Sequence, residues 1–306
     1  MRSMLFVPGD RPERFEKAMR SGADAVILDL EDAVTPHTRP QARRNAVDFL
    51  REGARPVPVW VRINPVESND VLADAAAVVP ARPDGLVLPK PRTVADLWRL
   101  DHWLEALESA NGQPAGSIAV IALVTETAHA MLHAAGFATP PKRVTGYSWG
   151  AEDLAAEVGA TANRTDDGEY EGVYRLARAS CLLMAAAAGV AAIDTTDVEF
   201  RDIAAVERRA RAARRDGFVG KLAIHPAQVA PIHAAFSPSA EEVAWARRVV
   251  AALAQPGSAG AVAIDGKMID RPHLRQAERI LETARNIEGS NGDSPRFSAE
   301  KGGQSL

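Results

Sequence analysis

Two acids frame the chemistry this chain could do. Glu126 ends the apolar run that starts at Ile118, and Asp153 lies in the WGAED loop after the next short apolar run. Each would stand just past the carboxyl end of a buried strand, the edge where parallel α/β architectures place their chemistry. Carboxylate oxygens suit a hard divalent cation such as magnesium, and two of them leave about four coordination positions to water or a chelating substrate. The alternative is structural, with Glu126 capping the following helix and Asp153 an acid in a helical first turn. The chain has neither a cysteine cluster nor an H-E-x-x-H sequence, so a zinc site is not indicated.

Other candidates surround this pair in the sequence. The segment DLEDAV sets Asp29, Glu31 and Asp32 at the end of an apolar run. Strand alternation turns Asp29 and Glu31 the same way, where they could orient metal-bound water; a solvated turn is the alternative. Arg62 interrupts the apolar WVRIN, so it either snorkels outward or faces inward and grips an anion as a fork. Lys90 follows VLP in the same manner, and the two together predict a cationic barrel mouth suited to a carboxylate or phosphate. His225, between LAI and Pro226, is either a rim residue or a cap. His129, His133 and His233 read as peripheral helix residues, and Cys181 as a buried one. Ser148 lacks the G-x-S-x-G elbow of a hydrolase. The arginines from 208 to 215, beside Glu207 and Asp216, read as a solvated helix face rather than a nucleic-acid patch.

These residues need a scaffold that brings strand ends together. Apolar β-type runs at Met4–Val7, Ala25–Leu28, Val57–Ile63, Gly85–Leu88, Ile118–Val124, Val144–Tyr147, Val190–Ile193 and Phe218–Ile224 alternate with amphipathic or Ala-rich helical stretches. No dinucleotide glycine fingerprint follows the first run. Eight such units predict a (β/α)8 TIM barrel over residues 1–255. A hinge at Pro256–Gly260 would then lead to a lid segment and helix over 256–288, with Lys267–Asp270 as a short turn. The Gly- and Ser-rich stretch 289–306 is expected to be a disordered tail.

Composition narrows the classes. The chain has 306 residues, 46% hydrophobic and 25% charged, with a formal net charge of −4. That charge gives no general attraction to nucleic acid or an anionic membrane. A single cysteine excludes an internal disulfide framework. No apolar run approaches the roughly 18 residues of a membrane span, and the first residues turn charged too early for a signal peptide. The expectation is a cytoplasmic globular protein.

Taken in order, MRSMLFVPGDRPERFEKAMRSGADAVILDLEDAV, WVRIN, LVLPK, TET, WGAEDLAAEVGA, FVGKLAIHPAQV with FSPS, and GKMID resemble the citrate lyase β-chain-like and malyl-CoA lyase family, over roughly residues 1–285. The resemblance implies a (β/α)8 barrel that assembles as a homotrimer or hexamer. It implies magnesium-dependent, reversible Claisen-type cleavage of a 3-hydroxyacyl-CoA thioester of malyl-CoA or citramalyl-CoA type, giving acetyl-CoA and an α-keto acid. By position, Glu126 and Asp153 become the Mg2+ ligands, with Glu126 also touching substrate. Arg62 becomes the keto-acid-binding and catalytic arginine, and Glu31 and Asp32, with Asp29, the acids around the metal waters. Asp270 in GKMID matches an acid/base on a segment that covers a neighbouring subunit's barrel, while Lys90 and His225 match rim residues. The acyl group stays open, as do a citrate lyase β-chain with partner subunits, a pyruvate-type aldolase on free acids, and a non-catalytic barrel.

Overall fold

The computed structural model describes residues 1–53, 55–254 and 261–289. Eight strands alternate with helices: β1 Ser3–Pro8, α1 Phe15–Met19, β2 Ala25–Asp29, α2 Arg39–Arg51, β3 Val59–Arg62, α3 Val71–Val78, β4 Gly85–Leu88, α4 Val94–Ala110, β5 Ala119–Leu123, α5 Ala128–Leu132, β6 Val144–Ser148, α6 Ala151–Val158, α7 Gly172–Ala188, β7 Ala191–Asp194, α8 Ile203–Asp216, β8 Gly220–Ala223 and α9 Val229–Phe236. All neighbours run parallel, and β1 pairs with both β2 and β8, so the sheet closes into a barrel. The expected TIM barrel is therefore present.

Alternation decides what each strand offers. Ala25 and Ile27 of β2, Trp60 of β3, Val87 of β4, Ile121 and Leu123 of β5, Ile193 of β7 and Leu222 of β8 form one buried cluster with Met4. These are the inward positions of a filled barrel. Trp60 supplies much of the volume, and Gly85 beside it makes room: a Cβ there would lie 2.2 Å from the indole ring. By the same period, Asp29 and Arg62 continue the inward rows of β2 and β3, and their Cα atoms are register partners.

Contacts divide the chain into two compact units, residues 1–235 and a second starting at Phe236. The boundary thus precedes the expected one at 255, because helix α10, Ala240–Leu253, packs Ala246 and Val249 against Ile269 and Ala277 of the C-terminal segment. The expected hinge at 256–260 and the tail from 290 fall outside the described residues. Lys267–Asp270, expected as a turn, is strand β10, antiparallel to β9, Ala261–Ile264. Asp265 and Gly266 make the turn with φ of 52° and 73°, the two left-handed residues a tight hairpin requires. Helix α11, Arg271–Gly289, completes this unit. One further helix, α3, lies where none was expected, and α9 contains His233, which was expected to be helical. Among the described residues, no helix is long and apolar enough to cross a membrane.

Candidate active site at the barrel mouth

The register of β2 with β3 builds the first part of the site. Asp29 accepts a two-pronged bond from Arg62, Nε to Oδ1 at 2.7 Å and Nη2 to Oδ2 at 2.6 Å. Nη1 lies 3.0 Å from Glu31 Oε2, and the Phe6 ring of β1 sits 4.7 Å below the guanidinium. Arg62 therefore faces inward, not out to solvent, and the acids beside it hold its proton more firmly still against the cost of burial. A fork held at both prongs cannot rotate away.

Lys90 makes the second junction. Its φ of 52° puts the backbone in the left-handed region, unusual for a residue with a Cβ. From there the Lys90 amide donates to Glu126 Oε2 at 2.8 Å. The side chain reaches back across the mouth, with Nζ 2.5 Å from Glu31 Oε1, 3.0 Å from Asp32 Oδ2 and 2.9 Å from Asp153 Oδ1. One lysine thus ties the ends of β2, β4, β5 and the start of α6 together.

Glu126 does not cap α5. That role falls to Thr127, whose hydroxyl accepts from the Ala130 amide at 3.1 Å. Freed from capping, Glu126 is 3% exposed. Burial, then the charges of Asp153 and Glu31, push its carboxyl well above the usual range. Burial also raises Glu31, to about 7, although Arg62 and Lys90 oppose it. Asp32 is desolvated too, but the Lys90 bond prevails and lowers it. Asp153 is the third residue of α6, so both an N-terminal helix acid and a site residue describe it. Gly150, just before α6, gives Glu126 its space: a Cβ there would meet Glu126 Oε1 at 2.6 Å.

The mouth is not cationic, as the two positive side chains alone suggested. Asp29, Glu31, Asp32, Glu126 and Asp153 outnumber Arg62 and Lys90; Asp29, Glu31 and Glu126 are buried, Asp153 is half-buried and Asp32 exposed. A surplus of carboxylates with all-oxygen donors fits a hard divalent cation. Among the described residues no three His, Cys, Asp or Glu side chains form a complete metal cage. A magnesium ion does not need one, since it commonly keeps water or substrate oxygens.

Two other expected residues make local contacts of their own. His225 sits after β8, stacks on Phe200 at 4.6 Å between ring centroids, and accepts from the Ala227 amide at 3.2 Å as the cap of a short turn. Asp270 belongs to the second unit, half-exposed, with Oδ1 2.6 Å from His273 Nδ1. His233, read as a peripheral helix residue, is on α9 and is bonded to Ser3 Oγ at 2.8 Å. The contributions of Gly150 and Phe6 were missed; the glycine directly before the helix bearing Asp153 was the available signal.

Comparison with known proteins follows this geometry. Residues 2–226 match the HpcH/HpaI aldolase/citrate lyase family, and residues 185–287 match a family described as a C–C bond lyase of the TIM-barrel fold. The citrate lyase subunit beta-like protein of Mycobacterium tuberculosis is 39% identical over 280 residues, 92% of this chain and 94% of that protein. The L-malyl-CoA/beta-methylmalyl-CoA lyase of Rhodobacter capsulatus is 32% identical over 310 residues, 92% of this chain and 94% of that one. A crystal structure of CitE from M. tuberculosis, in complex with magnesium, acetoacetate and coenzyme A, superposes with a TM-score of 0.77 at 37% identity, covering 93% of this chain and 98% of that one.

Proposed function

This chain belongs to the HpcH/HpaI aldolase/citrate lyase family, and on that premise we propose a magnesium-dependent carbon–carbon lyase. Its substrate is a 3-hydroxyacyl-CoA thioester of the malyl-CoA or citramalyl-CoA type, and its products are acetyl-CoA and an α-keto acid, in a reversible Claisen-type reaction. The observation that carries the reading is the surplus of carboxylates around Glu126 and Asp153, next to an arginine locked in place by Asp29.

Glu126 and Asp153 would hold the magnesium, which when bound supplies Lewis-acid polarisation of a substrate oxygen. Everything else is the chain's own work. The Lys90 amide fixes Glu126, and Glu31 and Asp32 fix the Lys90 ammonium. Asp29 takes two of the five N–H groups of Arg62, so others stay available to a substrate carboxylate or developing oxyanion. One well-placed donor of that kind contributes roughly 2.7–4 kcal/mol to a barrier. In the cleavage direction the hydroxyl gives its proton to water, its oxygen becomes the carbonyl of the keto acid as the C–C bond breaks, and the electron pair of that bond passes to the thioester as an enolate. A proton at the acetyl carbon then completes acetyl-CoA, and Asp270 is the group we assign to it, with His273 at 2.6 Å as its partner.

We further propose a homo-oligomer, a trimer or hexamer, with Asp270 serving a neighbouring barrel. Val173, Leu176 and Leu183, at 36%, 59% and 71% exposure on one face of α7, support an assembly that covers them. A cytoplasmic setting suits Cys181, a free and buried thiol.

The test is turnover of a small panel of 3-hydroxyacyl-CoA thioesters with and without EDTA, in wild type, Glu126→Ala and Asp153→Ala. Acetyl-CoA release should depend on magnesium and vanish in both variants. Turnover untouched by EDTA or by the substitutions would remove the pair from the reaction, and competition by free coenzyme A separates a thioester lyase from an aldolase on free acids.

A further inference from the structure

The arginines between 208 and 215 keep the solvated face expected of them, with Arg208, Arg211 and Arg215 exposed, and four of them, Arg208, Arg209, Arg211 and Arg215, also turn toward α7. They make one wall of a cleft of about 780 Å³ between α7 and α8. Arg208, Arg211 and Arg215 recur at helical spacing along α8, and Arg175 and Arg178 face them from α7. Ala179 and Ala212, small residues, leave the space open. On the barrel side, Asp194 and Lys221 alternate with Ile193 and Leu222 of the inner core, so they point outward, away from the barrel axis. The cleft is therefore on the flank of the barrel and separate from the mouth.

Its charge runs against that of the chain. Eight cationic side chains line it, with only four carboxylates, in a protein whose net charge is −4. Local pairing uses part of this excess. Arg178 pairs with Asp216 and lies 3.6 Å from Asp194, which Lys221 holds at 2.7 Å. Arg211 bonds Glu207 at 2.6 Å, and Arg209 bonds Asp197 at 2.7 Å. Arg175, Arg208 and Arg215 are exposed and have no acidic partner among the described residues. Like charges gathered in a concavity repel one another unless an anion enters.

We propose that this cleft binds a polyphosphate chain. Guanidinium forks match phosphoryl oxygens two at a time, and the volume falls in the range of small-molecule sites. Arg208 and Arg215 are separated by roughly 10 Å of helix, a span for linked phosphoryl groups rather than a single phosphate. In the wall of the cleft the Arg164 guanidinium stacks 3.7 Å from the Tyr170 ring, a flat surface on which a nucleoside attached to the chain could rest.

The experiment is calorimetric titration of the full, metal-free chain at low ionic strength with sodium tripolyphosphate and, separately, with ATP. Both should bind, and added salt should weaken both. Equal affinities identify the bare chain as the ligand, whereas tighter binding of ATP identifies a nucleotide. The Arg208→Ala/Arg215→Ala double variant should lose at least about tenfold in affinity with an unchanged melting temperature, and the double lysine variant should keep more of it. Excess acetyl-CoA should not displace tripolyphosphate. Absence of binding, undiminished affinity in the alanine variant, or displacement by acetyl-CoA would each overturn the proposal.

Discussion

Gly150→Ala tests the site through a residue that carries no functional group. At φ −130° and ψ 119° the backbone is ordinary extended chain, so alanine introduces no backbone strain. The new methyl is another matter: it would stand 2.6 Å from Glu126 Oε1 and 2.8 Å from Cγ. That is about 0.8 Å inside normal van der Waals contact. Glu126 cannot yield cheaply, because it is buried and its other oxygen is bonded to the Lys90 amide at 2.8 Å. Its carboxylate must therefore move by nearly an ångström, and a displacement of that size can cost about a hundredfold in rate, or about 2.7 kcal/mol of barrier. Overpacking should also destabilise the fold by about 1–3 kcal/mol, which leaves a folded protein. The assay is acetyl-CoA release as a function of magnesium concentration, with thermal melting alongside. The expected result is a much lower kcat and a higher magnesium requirement in a chain that still melts cooperatively. Turnover within about threefold of wild type at the same magnesium requirement would refute the claim that Glu126 must sit where it does.

Three other perturbations probe separate parts of the chain. Asp270→Ala should bind the acyl-CoA thioester as wild type does while turnover collapses; full activity would take Asp270 out of the reaction. Glu108 is fully buried, with Arg143 donating to its two oxygens at 2.8 and 3.1 Å, so Glu108→Ala should cost about 3–5 kcal/mol, read as a lower urea midpoint. His233→Gln addresses pH. Burial lowers the His233 pKa although Asp24 opposes it, so the unfolded chain takes up the proton first as pH falls. The stability this histidine contributes is present above the unfolded value of about 6.5 and is lost below it. The drop in melting temperature from neutral to mildly acidic pH should be smaller in the glutamine variant, and identical drops would contradict this.

Much of the barrel was legible because it rests on local pattern. The apolar runs and their spacing mark eight strands. Helix α3 is not evident in the sequence because it is an Ala- and Val-rich stretch with little amphipathic contrast, and of α9, which contains Pro231, only His233 reads as helical. Lys267–Asp270 read as a turn because its strand character comes from pairing with β9, a contact that four residues do not announce.

The acids and basic residues of the site were likewise visible one by one, but not their pairing. Sequence alone put Glu126 and Asp153 at neighbouring strand ends but left Arg62, in a run apolar on both faces, free to turn outward or inward. Only the folded chain decided that Lys90 would lie among Glu31, Asp32 and Asp153, turning an expected cationic mouth into an acidic one. Only the fold likewise set Arg175 and Arg178 of α7 opposite the arginines of α8. The reason is the same in both places: which charges neutralise one another depends on distances between segments far apart in the chain. Closure of the barrel sets those distances, and no local spacing encodes them.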